Sequence, residues 1–198
     1  MASYSVKAQP FLDVIAFNVF AHQHVRDWLI SGTPAAYAFT GSTVLIDEQR
    51  LVRWHARPTK QPFWANYFCG LDSRCTCRIA GSKSLESDAV FFFRNQGGST
   101  LAVHVEFKHA GEAFRYGQPE GYPLRAACFA KTYDERKAVN PHDAWTTVLF
   151  CGAETIEDPR LVYFDRVILH EQARAMMDQY PDLPSVRGGL ALQLGSLR

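Results

Sequence analysis

Residues 88–108 read DAVFFFRNQGGSTLAVHVEFK, and this stretch decides the expected fold. Asp88–Arg94 contains an unbroken apolar run, as in strands that are buried on both faces. Thr100–Lys108 is again rich in β-branched and apolar residues. Between them, Asn95–Ser99 holds two glycines, which can take the positive φ that a tight reversal needs. The stretch therefore predicts a β-hairpin.

Three charged side chains lie at the open end of this hairpin. Asp88 begins the first strand, and Glu106 and Lys108 end the second. In an antiparallel pair the start of one strand lies beside the end of the other, and residues two apart point to the same face. We therefore expect two carboxylates and one ammonium group to meet at this end of the sheet.

This group of side chains is suited to chemistry on phosphate esters. Two carboxylates are hard oxygen ligands for Mg²⁺, which keeps several waters and accepts phosphate oxygens. The ion would polarise the phosphoryl group and lower the pKa of a bound water. The lysine could position that water and stabilise negative charge in the transition state. Hydrolysis of phosphodiester bonds is the expected reaction.

The rest of the chain supplies alternating helices and strands around the hairpin. Their order predicts an α/β (α+β) fold in which helices flank a mixed sheet, as one domain over residues 1–198. The predicted helices cover 11–31, 42–56, 61–68, 123–139 and 170–180, and the predicted strands cover 75–79, 88–94, 100–108, 144–150 and 161–169.

Asp88 followed by a hairpin and Glu106-Phe107-Lys108 resembles the PD-(D/E)XK nuclease superfamily. Its restriction-endonuclease-like core has the order αβββαβ, and the resemblance covers about residues 42–151. It implies that Asp88 and Glu106 bind Mg²⁺, with Mn²⁺ as a substitute, and that the Phe107 carbonyl joins them. Lys108 would serve the attacking water. The implied activity is a metal-dependent deoxyribonuclease, endo- or exonuclease, with RNA as the open alternative to DNA.

A second stretch, Gln118-Pro119-Glu120-Gly121-Tyr122, resembles the Q-x-x-x-Y element of RecB-like and lambda-exonuclease-like branches of that superfamily. By this resemblance Gln118 would support the lysine and water, and Tyr122 would contact a backbone phosphate. The same branch often carries an acid on the preceding helix, for which Glu48 is the best-placed residue. Pro123 would remove a helical hydrogen bond, so we expect the helix to begin there, with Gln118 on the entering loop.

Positive charge is concentrated in one segment, although the formal net charge is only +1. Arg50–Lys83 contains seven basic residues and a single acid, interleaved with aromatic residues. Cations that replace counterions and aromatics that pack on bases are typical of nucleic-acid surfaces. Arg53, Arg57 and Lys60 are the predicted contacts. The alternative is a solvated basic face over an aromatic core.

The five cysteines are predicted to be reduced, because Met1–Pro10 lacks the layout of a secretory signal and a cytoplasmic protein is expected. Cys69, Cys75 and Cys77 have the spacing C-x5-C-x-C, which lacks the paired C-x2-C of common zinc sites. The sequence therefore favours buried thiols over a zinc site. No apolar stretch is long enough for a membrane span, so no membrane partner is expected.

Two histidines are further candidates near the site, and other functions stay open. His104 falls on the same face as Glu106 and Lys108, and His109 directly follows the lysine. The rival to an enzyme is a non-catalytic nucleic-acid- or protein-binding module on the same fold. A second rival is an unrelated α+β domain in which Glu106 and Lys108 form a surface ion pair. A homo-oligomer stays open.

Overall fold

The structure of the protein, a computed structural model, describes residues 7–56, 61–69, 75–83, 86–131 and 139–182. Within these ranges the chain forms a curled, mixed six-stranded sheet with helices on both faces. The strands are β1 (Thr43–Val44), β2 (Ala65–Phe68), β3 (Glu86–Arg94), β4 (Thr100–Phe107), β5 (Ala144–Cys151) and β6 (Arg166–Leu169). The helices are α1 (Gln9–Ala21), α2 (Gln23–Ile30), α3 (Ala36–Phe39), α4 (Ile46–Ala56), α5 (Gln118–Ala130) and α6 (His170–Met176).

The predicted hairpin is confirmed and forms the centre of the sheet. β3 and β4 pair antiparallel, from Ala89 opposite Val105 to Arg94 opposite Thr100. The turn between them closes with Gly98 at φ 87°, a conformation that glycine adopts without strain. β4 then pairs parallel with β5, and β5 pairs parallel with β6. β1 and β2 both pair antiparallel with β3 on its other side.

The unbroken apolar run in β3 is explained by helices on both faces of the sheet. Phe91 and Phe93 pack with the side chains of α1 and α2, whereas Phe92 packs on the α5 side with Phe129. All three β3 phenylalanines are fully buried. Burying a phenylalanine side chain contributes about 1.5–3 kcal/mol. The predicted mixed α/β architecture, with a mixed sheet flanked by helices, is confirmed at this level.

Helix α5 begins five residues earlier than predicted, so the expectation that Gln118 lies on a loop is wrong. Gly117 precedes the helix at φ 68°, and a Cβ there would lie 2.9 Å from Ser82 Cβ. Pro119 occupies the first turn, where a missing N–H costs little. Pro123 lies only one turn further on, and its absent N–H removes one bond. Gln118, Tyr122 and Arg125 consequently share a face, because their spacing is i, i+4 and i+7.

Two local predictions between the first helices and the hairpin are wrong. The predicted helix at 61–68 contains strand β2 instead, because its aromatic residues pair with β3 and pack on both faces. The predicted strand at 75–79 forms no ladder, since the free side of β3 is already paired with β1 and β2. Both differences come from competition for the same strand, which local pattern does not reveal.

The other differences between the predicted and the observed elements concern their bounds. The predicted helix at 11–31 is two helices, because His22 is extended at φ −121° and ψ 119°. The strand predicted over 161–169 is reduced to β6, after a 3₁₀ turn at Pro159–Tyr163. α6 ends at Met176, four residues before the predicted end. Within the described ranges, none of the helices is both long and apolar enough to cross a bilayer.

Candidate functional site

The candidate site lies where β3 and β4 separate. The last paired residues of the β3–β4 ladder are Ala89 and Val105. Asp88 Oδ2 accepts the Phe107 N–H at 2.8 Å. In a strand the N–H and C=O of one residue point to the same side, so the Phe107 carbonyl also faces this gap. The β3–β4 ladder thus ends one residue short of Asp88, and the Asp88 side chain takes the place of the next backbone bond.

Glu106 is the centre of the site, and three side chains contact its carboxylate. Only 2% of Glu106 and of Lys108 is exposed. Lys108 Nζ lies 3.5 Å from Glu106 Oε1, and Gln118 Nε2 donates to the same oxygen at 2.5 Å. The Tyr122 hydroxyl donates to Glu106 Oε2. Sheet and helix α5 thus fix both oxygens of this carboxylate.

Lys108 is held by a second acid that the sequence analysis missed. Glu112 Oε1 accepts from Lys108 Nζ at 3.0 Å, and Glu112 Oε2 accepts from the His109 N–H at 3.2 Å. The Lys108 N–H donates to Phe150 O at 2.8 Å, so β5 fixes the backbone of this lysine. The ammonium group therefore lies between two carboxylates. An acid four residues after the lysine was the available sequence signal.

A third acid, the half-buried Glu86, adds negative charge and was also missed. Burial and, to a smaller extent, the nearby Glu106 carboxylate raise the pKa of Glu86 to about 7. Burial of the carboxyl groups likewise raises the pKa of Asp88 well above its ordinary range, and raises the pKa of Glu106. Glu86 lies two residues before Asp88 in the same strand, which was the signal in the sequence. Without a bound metal ion, burial and mutual repulsion oppose simultaneous ionisation of the three acids.

Arg125 supplies the main buried counter-charge on the helix side. Arg125 is fully buried, and its Cζ lies 4.6 Å from the centre of the Tyr122 ring. Arg125 Nε donates to Ser87 Oγ at 3.3 Å, which links α5 to β3. The guanidinium lowers the pKa of Glu86 and of Glu106, but burial outweighs it at both. The site consequently retains a net preference for added positive charge.

Glu86→Gln is expected to stabilise the metal-free protein at pH 8 but not at pH 5. The pKa of Glu86 is raised from 4.5 to about 7, so its ionisation in the folded state costs stability as pH rises through that interval. Melting in EDTA should show a gain of about 2–4 °C at pH 8, allowing for screening of a partly exposed group. Glu157→Gln, at an exposed acid, is the control and should change neither value. An equal gain at both pH values would contradict the assignment.

The structure does not bring Glu48 to the site, which corrects its prediction as a metal ligand. Its carboxylate forms an ion pair with Arg94, with bonds of 2.8 and 2.7 Å. Arg94 is at the opposite end of β3 from Asp88, about 20 Å away at the rise of a strand. The reason is that Glu48 is in the first turn of α4, and this helix begins beside the Arg94 end of β3, where the Leu45 N–H donates to Phe92 O. Glu48 is therefore left out of the proposed ligands.

Two predicted nucleic-acid contacts are also used differently. Arg53 Nη2 donates to the Ala65 carbonyl at 2.8 Å and its Cζ lies 4.1 Å from the centre of the Tyr67 ring, so it holds α4 against β2. Tyr122 is fully buried beneath the site, so it supports Glu106 instead of contacting a phosphate. The other two predicted contacts, Arg57 and Lys60, lie outside the described residues.

The two candidate histidines, His104 and His109, pack against neighbouring side chains of the fold. His104 is buried, its Nδ1 lies 3.1 Å from Ser87 Oγ, and its ring stacks on Phe129 at 5.6 Å. Burial lowers its pKa well below the ordinary range, so it is neutral at physiological pH. His109 packs edge-on against Phe11 and Phe107. Neither ring is aimed at Glu106 by a hydrogen bond among the contacts described.

Comparisons with family models, with curated proteins and with solved structures give no match to this chain. The case for a function therefore depends on the geometry of Asp88, Glu106 and Lys108 and on the residues that hold them.

Proposed function

We propose that this protein is a metal-dependent nuclease that hydrolyses DNA phosphodiester bonds at the Asp88–Glu106–Lys108 site. The observation that carries the proposal is the convergence of these three side chains at the divergence of β3 and β4. Glu106 and Lys108 are almost fully buried yet charged in type. Burying charged groups is costly even when they are paired, as Glu106 and Lys108 are. Buried acids with raised pKa values beside a lysine are typical of functional sites.

The order of the elements supports a restriction-endonuclease-like core. Helix α4 is followed by β2, β3, β4, α5 and β5, and these strands lie in the order β2-β3-β4-β5. The αβββαβ order expected from the resemblance is the same succession. Helix α5 then lies over the face that carries Glu106, where Gln118 and Tyr122 reach it.

Asp88 and Glu106 have the donor chemistry that Mg²⁺ or Mn²⁺ requires. Both offer carboxylate oxygens, and the Phe107 carbonyl faces the same gap. Burial raises the pKa of both acids, and the Glu106 carboxylate raises that of Asp88 further. A divalent ion would offset the cost of ionising both groups there. When bound there, the ion would act as a Lewis acid on the phosphoryl oxygen and on a water.

The chain's own residues would orient the reactants around that position. Lys108 presents an ammonium group fixed by Glu106 and Glu112, which can donate to the attacking water and oppose charge that develops on the phosphate. Gln118 and Tyr122 keep the Glu106 carboxylate from rotating. Such fixed supports reduce the reorganisation needed at the moment of reaction.

An exposed cation and an exposed aromatic ring lie next to the site and suit a nucleic-acid strand. Arg115 is exposed and close enough to lower the pKa of Glu86, and its N–H donates to Gln118 Oε1 at 3.1 Å. Tyr116, beside it, is 71% exposed. A guanidinium can pair with a phosphate, and a tyrosine can stack on a base. These residues replace Arg53 and Tyr122 as the proposed strand contacts.

A non-catalytic binding module on the same fold is the second candidate. The observation in its favour is that both Glu106 oxygens already accept hydrogen bonds from the protein, and Lys108 is paired with Glu112. Each carboxylate oxygen has a second lone pair, so these bonds leave room for a metal. The two candidates differ in turnover, which an assay separates.

The direct test is incubation of the purified protein with supercoiled plasmid, linear DNA and single-stranded RNA. Parallel reactions contain Mg²⁺, Mn²⁺ or EDTA. The proposal expects metal-dependent loss of DNA, with nicked plasmid for an endonuclease and loss of linear DNA alone for an exonuclease. Binding of DNA in gel-shift assays without any cleavage would favour the binding module.

Tyr122→Phe is expected to raise the metal concentration for half-maximal cleavage about tenfold, with the maximal rate within a few-fold of wild type. The ring still fills its buried place, but Glu106 loses the hydroxyl that fixes Oε2. A titration of cleavage rate against Mn²⁺ separates the two quantities. Tyr163→Phe, on the exposed 3₁₀ turn, is the matched control. Equal curves for the two variants would remove Tyr122 from the site.

A further inference from the structure

We propose that Cys69, Cys75, Cys77 and Cys128 together bind one structural zinc ion. The site is separate from the Asp88–Glu106–Lys108 site and does not depend on the proposed nuclease activity. Its evidence is a grouping of four sulfur atoms that the sequence spacing alone did not predict.

The sulfur atoms have the spacing of a tetrahedral site. The four Sγ atoms all lie within 4.8 Å of one another, and those of Cys69 and Cys75 are 3.5 Å apart. Four thiolates bound to zinc lie about 3.8 Å apart, because each Zn–S bond is about 2.3 Å. A cluster of several irons would hold its cysteines further apart, so the spacing favours a single ion. None of the cysteines forms a disulfide.

Three separate parts of the chain supply these thiols. Cys69 follows β2, Cys75 and Cys77 lie in the segment before β3, and Cys128 is on α5. Cys69, Cys77 and Cys128 are buried and Cys75 is half-buried. A metal here would connect the β2–β3 region to α5.

The surroundings suit a closed structural site. The cysteines pack in the cluster that also contains Val90, Phe92 and Phe129, which would limit access of water. A zinc ion with four thiolates carries two negative charges, so a neighbouring cation is favourable. Lys131 Nζ donates to Thr76 Oγ1 at 3.2 Å, and that hydroxyl lies 4.0 Å from Cys128 Sγ.

The C-x5-C-x-C spacing was an argument against zinc only while three cysteines were considered. Cys128 provides the fourth ligand from a distant helix, where no local motif could indicate it. Tetrahedral sites with four sulfurs bind zinc or iron, and a closed four-thiolate site leaves no open position for catalysis. The proposed role is therefore structural.

The test is the metal content of the full chain, purified under reducing conditions from cells supplied with zinc and iron. Inductively coupled plasma mass spectrometry should find one zinc per chain, and melting in a strong chelator should occur at a lower temperature. Cys77→Ser and Cys128→Ser should each lose most of the zinc. Cys151→Ser is the matched control, because Cys151 is buried away from the cluster and should leave the zinc in place.

A second measurement keeps the proposal testable if the serine variants do not fold. Wild-type protein reconstituted with Co²⁺ should show the absorption bands of tetrahedral cobalt bound to thiolates, and added zinc should displace them. Alkylation of native protein should spare the four cysteines until the metal is removed. Absence of bound metal, stoichiometric iron, full zinc in Cys128→Ser, or a native Cys69–Cys75 disulfide would each overturn the proposal.

Discussion

Asp88→Ala should reduce metal-dependent DNA cleavage by about 10³-fold, equivalent to about 4 kcal/mol in transition-state stabilisation. The proposed metal loses one of its two carboxylates, and Glu106 alone would hold it weakly. The variant should still fold, because Asp88 is half-buried at the end of the strand pairing and only the Phe107 N–H loses its partner. Single-turnover cleavage at saturating Mn²⁺, with circular dichroism for the fold, measures both effects.

Glu48→Gln is the matched control for Asp88→Ala. Glu48 is the acid that the resemblance offered as a ligand but that the structure places with Arg94. Its loss removes a surface ion pair worth at most about 1 kcal/mol, so cleavage should stay within about twofold. Equal cleavage in wild type and folded Asp88→Ala would refute the site. A large loss in Glu48→Gln would instead indicate that Glu48 reaches the metal in the complex with DNA.

Lys108→Met should reduce the cleavage rate by about 10²–10⁴-fold while leaving DNA binding nearly unchanged. Methionine keeps the length and apolar stem of the lysine but removes the ammonium group between Glu106 and Glu112. The same change should lower stability at high pH, because Lys108 lowers the pKa of Glu106 and its loss leaves that buried carboxylate less compensated. Rate and melting temperature at pH 6 and pH 9 test the two consequences.

Lys83→Met is the control for charge in general, since Lys83 is exposed and outside the site. It should leave the rate and the melting temperature near wild type. If Lys108→Met cleaves DNA as fast as Lys83→Met, the lysine has no part in the reaction. If Lys108→Met binds DNA poorly but turns over what it binds, its role is in substrate binding.

The parts of the fold that depend on local pattern could be predicted from the sequence. The glycine turn at Asn95–Ser99 and its apolar flanks determine the hairpin, and the hairpin determines where Asp88, Glu106 and Lys108 can meet. The first strand was misplaced because β2 and the segment 75–79 compete for the same side of β3. That competition is decided by packing over the whole sheet, which no local window contains.

The sequence predicts the three central residues of the site, Asp88, Glu106 and Lys108, but not the two acids beside them. Glu86 and Glu112 are separated from the motif by a few residues, and only their approach to Glu106 and Lys108 reveals their part. The sequence analysis expects this helix to begin at Pro123, but the helix includes both Pro119 and Pro123. Both residues lie within the first two turns, where the helix loses few hydrogen bonds, so Gln118 and Tyr122 are brought onto Glu106.

The pairing of β3 on both sides bears on how this chain behaves when it is heated. Val90 N–H donates to Trp64 O and Phe92 O accepts from Leu45 N–H, so the backbone beside the three phenylalanines has partners. The middle of β3, residues 89–93, is uncharged and aromatic, and such a segment can seed intermolecular cross-β aggregates when it is uncovered. Loss of β1 and β2 would present it as an open edge. Thermal denaturation should therefore be irreversible and increasingly so at higher protein concentration.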